Sequence, residues 1–311
     1  MHFADHLIAG IQRAGNAVCV GIDPHPEDLP AGMLDSFPSG RVGVAEALKA
    51  FGREVIDVVA GRVAVVKFQS AFYEAYGPEG VAALHDAMHY AKTKELVVIF
   101  DGKRNDIGST AEGYARAYLG KVPLGDHFEA SWEADAITVN PYLGSDGITP
   151  FVKVAAREGK GFFTLVRTSN ASAREFQDLV ADGKPIYRHV ADRLVGWGAA
   201  YKGASGYNFA GAVIGATYPA ELAELRAAMP ETLFLVPGYG TQGASASDVA
   251  PAFDAAGLGA IVNNSRGLIF AFSKAAFKEK FKDNWQGAVE AALTDMINDL
   301  ATHTSCGKLR A

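Results

Sequence analysis

Eight short apolar runs, each followed by a more polar stretch, limit the fold of this chain more than any other feature. They occupy residues 17–22, 63–68, 96–100, 136–139, 161–166, 211–214, 233–236 and 259–262. Each is rich in Val, Ile, Phe or Ala and too continuous to leave one face in water. A parallel strand covered on both sides has that pattern. Segments with helical spacing lie between them, at 44–59, 80–92, 186–201, 219–229 and 244–256. Strand and helix alternating in this way predict an α/β chain closed into one (β/α)8, or TIM, barrel spanning residues 1–311 as a single domain. A doubly wound open sheet is the alternative. A short amphipathic helix within residues 1–15 and a last helix near 285–300 complete the expected architecture.

Composition narrows the function classes. The formal net charge is −6, so bulk attraction to nucleic acid is not expected, and any anionic ligand must be met by a few placed groups. No apolar run approaches the roughly 18 residues of a membrane span, and the N-terminal residues lack the pattern of a signal peptide. The only cysteines, Cys19 and Cys306, form neither a disulfide framework nor a zinc pattern. Cys19 lies in an apolar run and Cys306 in a polar tail. The expectation is a cytoplasmic protein without membrane partners, in which the Asn-Ala-Ser sequon at Asn170 carries no sugar.

In closed barrels of this kind, chemistry sits at the C-terminal ends of the strands. The residues that follow the runs are polar and ionisable: Asp23, Lys67, then Asp101 and Lys103, Asn140, Arg167 to Asn170, Pro237 to Gly243, and Asn263 to Gly267. In an extended chain Asp101 and Lys103 share a face, with Asp106 three residues further on. Buried charges must be paired, and a lysine between carboxylates stays protonated when partly desolvated. Lys67, from the neighbouring strand, extends this into a row of alternating charge. Such a set serves either as an ammonium acid held beside negative charge or as a salt-bridge cluster on the barrel rim.

The seventh and eighth strand ends suit an anion. Gly238, Gly240 and Gly243 let backbone amides approach a ligand, Arg266 offers a planar fork for phosphate, and helix N-termini are expected after both loops. The plainer reading is that these glycines only make turns. Residues 238–243 also match Gly-x-Gly-x-x-Gly, but no acidic residue follows about 20 positions on, so a dinucleotide site is not expected. His85 and His89 stand four apart on a helix as in zinc proteases. The residue where the catalytic Glu would stand is Asp86, and the segment lies outside the barrel, so no metal is expected there.

Residues 98–111, Val-Ile-Phe-Asp-Gly-Lys-Arg-Asn-Asp-Ile-Gly-Ser-Thr-Ala, resemble the signature of the orotidine 5'-phosphate decarboxylases: Asp-x-Lys-x-x-Asp-Ile/Val, Gly or Pro, and Thr one residue further on. The resemblance continues at Asp23, Lys67, Arg167 to Asn170, Pro237 to Gln242 and Ser265-Arg266. With the Asn140-Pro-Tyr-Leu-Gly segment and the chain length, it is similar to the longer bacterial subgroup. It implies a lyase of pyrimidine biosynthesis that converts orotidine 5'-monophosphate to UMP without metal or other cofactor.

The resemblance also implies roles. Lys103 protonates pyrimidine C6, and Asp101 lies beside the departing carboxylate. Asp106, Ile107 and Thr110 reach the partner's site across a homodimer. Asp23 and Lys67 hold the ribose hydroxyls, and Ser169 touches the pyrimidine. Gln242, Arg266 and the backbone around Pro237 and Gly238 bind the phosphate, and the loop 238–243 closes over the ligand. Two rivals remain. Sugar-phosphate relatives on the same barrel hold magnesium through a carboxylate at the second strand end, where this chain has Lys67. A nucleotide-binding barrel without catalysis would have no need of the Asp-Lys-Asp set.

Overall fold

In the computed structural model, which describes residues 1–240 and 243–310, every one of the eight apolar runs is a strand of one closed parallel barrel. The strands are β1 Val18–Gly21, β2 Val65–Gln69, β3 Val97–Arg104, β4 Ala136–Val139, β5 Gly161–Arg167, β6 Ala210–Ile214, β7 Phe234–Pro237 and β8 Ala260–Asn264. Each pairs with its neighbours in chain order, and β8 returns to β1 with Val18 opposite Val262. The open doubly wound sheet is thereby excluded. Closure removes sheet edges, so β1, β4, β6 and β8 are buried along their whole length.

The outer layer comprises α1 Phe3–Ala14, α2 Arg41–Val59, α3 Gly77–Thr93, α4 Gly108–Leu119, α5 Ser145–Glu158, α6 Ile186–Gly198, α7 Pro219–Ala228 and α8 Trp285–His303, with shorter helical turns between them. α1 buries Phe3, Leu7, Ile8 and Ile11, the i, i+4, i+5, i+8 stripe of an amphipathic helix. This stripe caps the N-terminal end of the barrel: a Cβ on Gly10 would lie 3.1 Å from that of Ala64, just ahead of β2. Burying four such side chains contributes roughly 1.5–3 kcal/mol each. Asp135, buried at the same end, accepts from Lys92 Nζ at 2.6 Å, Lys160 Nζ at 3.0 Å and the Val98 amide at 2.9 Å. Burial alone would raise its carboxyl; Lys160 and Lys92 outweigh that and hold it below the usual carboxylate range.

Two expectations are corrected, the helix over 244–256 and the helix N-termini after both loops, and two features were not anticipated. The helix predicted over 244–256 is only Ala246–Val249 followed by a 3₁₀ turn, Ala250–Ala252. Pro251 lacks an amide hydrogen and disfavours the helical conformation just before it. Unanticipated hairpins stand between α4 and β4, Lys121–Leu124 with His127–Ala130, and between β5 and α6, Val180–Ala181 with Lys184–Pro185. Cys306 is buried, because the closing turn Ser305–Arg310 folds back on the barrel. The short helices after β7 and β8, Ala246–Val249 and Arg266–Ile269, have four residues each, so little macrodipole is available to an anion. His85 and His89 bind separate partners, the Ser131 carbonyl and Glu133, on the outer surface.

Candidate active site

The site is organised by an irregularity in β3. Phe100 pairs with Ile137 but Arg104 with Val139, so four steps on β3 match two on β4. The surplus is a bulge, and Lys103 in it takes a positive φ of 44°, uncommon for a residue with a side chain. Asp101 and Lys103 meet as the i, i+2 spacing predicted, but through this bulge rather than a regular pleat. Gly102 is required between them, since a Cβ there would collide with the Phe100 ring.

Four charges alternate across the mouths of β1, β2 and β3. Lys103 Nζ lies 2.6 Å from Asp101 Oδ1, and Lys67 Nζ lies 2.7 Å from Asp101 Oδ2 and 3.7 Å from Asp23 Oδ1. Thr138 Oγ1 donates to Asp101 Oδ1 at 2.8 Å and accepts the Lys103 amide at 2.9 Å. Gln69 Nε2 donates to Asp101 Oδ2 at 3.3 Å, and Ser265 Oγ donates to Asp23. Burial by itself would raise the Asp101 carboxyl, but Lys67 and Lys103 overcome it and hold the group well below the usual range. Burial would likewise lower Lys67, and Asp101 with Asp23 pushes it above the ordinary lysine value instead. Both groups stay charged inside the protein because each compensates the other. Cys19, beneath them, has its thiol pushed up to about 12 by burial, which leaves it inert.

This row forms one wall of a cavity of about 1200 Å³ at the C-terminal mouth, large enough for a nucleotide-sized ligand. The cavity brings together Asp23, Lys67, Asp101, Lys103, Ser169, Pro237, Gly238 and Arg266. Ser169 approaches because residue 215 is glycine; a Cβ at that position would sit 2.8 Å from the Ser169 Cβ. Arg266 is exposed at the rim and has no ion-pair partner among the described residues. Gly238, Gly240 and Gly243 all have positive φ, the conformation for which glycine is suited. Gln242 lies outside the described residues.

Asp106, Ile107 and Thr110 are not in the cavity. Asp106 accepts the Ile107 amide at 2.8 Å at the entrance to α4 and forms no ion pair with Lys103, so within one chain Lys103 is paired to Asp101 alone. Ile107 is 52% exposed. Arg167 is also absent from the cavity. Fully buried behind it, it donates to Glu221 at 2.8 Å, lies 2.7 Å from Asp178 and stacks over Tyr218. Sequence reasoning missed Thr138, Gln69 and the Ser265 contact to Asp23. Thr138 left a signal, as the one hydroxyl in the run Ala136–Val139.

Fold and cavity together define a (β/α)8-barrel enzyme with a charged site at the C-terminal mouth. Residues 16–279 match the model of the orotidine 5'-phosphate decarboxylase / HUMPS family, and the chain belongs to it. The chain is 48% identical over 302 residues to the orotidine 5'-phosphate decarboxylase of Rhodopirellula baltica, covering 96% of this chain and 99% of that protein. It is 43% identical to the one from Caldicellulosiruptor bescii, over 88% of this chain and 90% of that protein. Among solved structures, the OMP decarboxylase of Leishmania donovani superposes with a TM-score of 0.72 at 29% identity, covering 97% and 98% of the two chains. These named relatives are carboxy-lyases.

Proposed function

We propose that this chain decarboxylates orotidine 5'-monophosphate to UMP, the last step of de novo UMP synthesis, with no metal or other cofactor and with Lys103 as the proton donor to C6. The observation that carries this reading is the Lys103 ammonium, 2.6 Å from Asp101, in the same cavity as the phosphate-suited fork of Arg266. Loss of carbon dioxide leaves a carbanion at C6 with no carbonyl placed to delocalise it. A fixed ammonium beside C6 lowers the energy of that charge and then delivers its proton. Asp101, kept ionised by Lys67 and Lys103, places negative charge next to the substrate carboxylate, which is relieved as the carboxylate leaves. Its carboxylate oxygens are already engaged by amines and by Thr138, an arrangement that favours direct ammonium chemistry over cation binding there.

Asp23 and Lys67 are the proposed ribose contacts, Ser169 the pyrimidine contact, and Arg266, Gln242 and the backbone at Pro237 and Gly238 the phosphate contacts. Binding at the phosphate end supplies energy that can be used at the reacting carbon. The exposure of Ile107 supports a homodimer in which Asp106, Ile107 and Thr110 complete the neighbouring subunit's site. A cytoplasmic location is part of the same proposal.

The test is carbon dioxide release from orotidine 5'-monophosphate with EDTA present. Lys103→Ala should lower turnover by at least about a thousandfold while UMP still binds. Arg266→Ala should chiefly raise KM. Near-normal turnover by Lys103→Ala would refute the assignment. Mixing Asp106→Asn with Lys103→Ala under subunit exchange should restore activity, and no recovery would refute the shared site.

A further inference from the structure

We propose that Arg104 is a positioning residue: its guanidinium clamps the β3 bulge from outside the barrel and thereby aims the Lys103 amine at the reacting carbon. The proposal rests on the assignment of Lys103 made above and adds a residue beyond the cavity lining.

The bulge has two supports. On the barrel side Thr138 Oγ1 takes the Lys103 amide and donates to Asp101. On the outer side the support is Arg104. Its Nη1 donates to the Gly102 carbonyl at 3.3 Å, closing a ring across the bulge it belongs to. Its Nη2 donates to Glu74 Oε1 at 2.7 Å and to the Tyr118 hydroxyl at 2.9 Å. The guanidinium carbon lies 5.2 Å from the Phe100 ring centre and 5.4 Å from that of Tyr118, with Tyr114 at 5.6 Å. Arg104 therefore joins β3 to α4, which carries Tyr114 and Tyr118, and to the turn after β2, which carries Glu74.

A planar fork is suited to this task. One group donates in three directions while its face stacks on rings, which a lysine cannot reproduce. The need arises because a positive φ at a lysine is unfavourable and persists only where neighbours over-determine it. If the outer support is removed, the backbone can relax toward an ordinary strand, and the Lys103 amine shifts relative to Asp101. A shift of about 1 Å in a reacting group can reduce rate on the order of 100-fold. The phosphate end of the cavity, at Gly238 and Arg266, makes none of these contacts.

The variant Arg104→Met keeps an unbranched chain against the rings and deletes every donor. Its kcat should fall on the order of 10- to 100-fold, with KM and the Kd for UMP unchanged within about twofold. A crystal structure of the variant should show Lys103 Nζ no longer hydrogen-bonded to Asp101. This readout does not depend on which reaction the enzyme catalyses. A kcat that stays near normal, an amine that stays on Asp101, or equal losses of kcat and UMP affinity would each overturn the proposal. Should Arg104→Met fail to fold, Tyr118→Phe and Glu74→Ala remove single clamp partners. Each should lower kcat several-fold at constant KM, and unaltered kcat in both would overturn it. Failure of the functional reading is separate: there Lys103→Ala would retain activity whatever Arg104 does.

Discussion

Lys67 is the cation on which the buried charge row depends, and its removal should reverse the sign of a second substitution's effect. Its side chain is 6% exposed, and it faces Asp101 at 2.7 Å and Asp23 at 3.7 Å. At an effective dielectric constant of about 20, these attractions are roughly 6 and 4 kcal/mol in gross terms, opposed by several kcal/mol of desolvation per ion. Lys67→Met should therefore destabilise the ligand-free protein by about 3–5 kcal/mol, the usual result of leaving a buried charge uncompensated. Asp101→Asn alone should also destabilise, since it leaves two lysines without their shared carboxylate. Introduced into Lys67→Met, however, Asp101→Asn should restore stability, because it removes the excess buried negative charge that the half-exposed Lys103, Asp101's remaining amine partner, cannot fully compensate. The coupling should be about 2–3 kcal/mol, read from urea midpoints at pH 7 with unchanged slopes. Additivity to within about 0.5 kcal/mol would mean that the row is not electrostatically coupled, and that Asp101 stays ionised for some reason besides its lysines.

Two further outcomes follow from the same contacts. Asp101 and Asp135 both have carboxyls held below the unfolded value of about 3.9, so their contribution is complete above that pH and is lost as pH falls below about 4. Urea midpoints should thus decline between about pH 4 and pH 3, and Asp135→Asn should flatten part of that decline; a pH-independent midpoint in the parent would contradict this. Gly21→Ala places a methyl against Ser265 Oγ and should cost about 1–3 kcal/mol, seen as a lower Tm. Ser265→Gly in the same chain should recover most of the loss, and a Tm unaffected by Gly21→Ala would show that the contact is not tight.

The barrel was legible in the sequence because parallel strands buried on both faces leave uninterrupted apolar runs. The run at 136–139 coincides with β4, and the others differ from their strands by a few residues at the ends. The hairpin of Lys121–Leu124 and His127–Ala130 was not legible, since nearly all its residues are exposed and it has no buried face to impose a pattern. The second hairpin did leave a mark, the Asp182-Gly183 pair, both with positive φ, a turn chemistry typical of hairpins. At the site, charges within a strand could be paired by spacing, which brought out Asp101, Lys103 and Lys67. Asp106 could not be placed this way, because the bulge and the turn into α4 intervene. Arg104 acts through the geometry of that bulge, which depends on β4 and α4 and has no local signature, and Thr138 showed only as the one hydroxyl of its strand.

The plug formed by α1 has a consequence for traffic. With Phe3, Leu7, Ile8 and Ile11 packed under the strands and Asp135 locked between two lysines, side chains fill that floor among the described residues. The cavity opens at the opposite end, at the C-terminal mouth. Under the proposed reaction, the gas and the nucleotide must leave through the doorway by which the nucleotide came in, so the order of departure is governed by whatever grips the phosphate at its threshold.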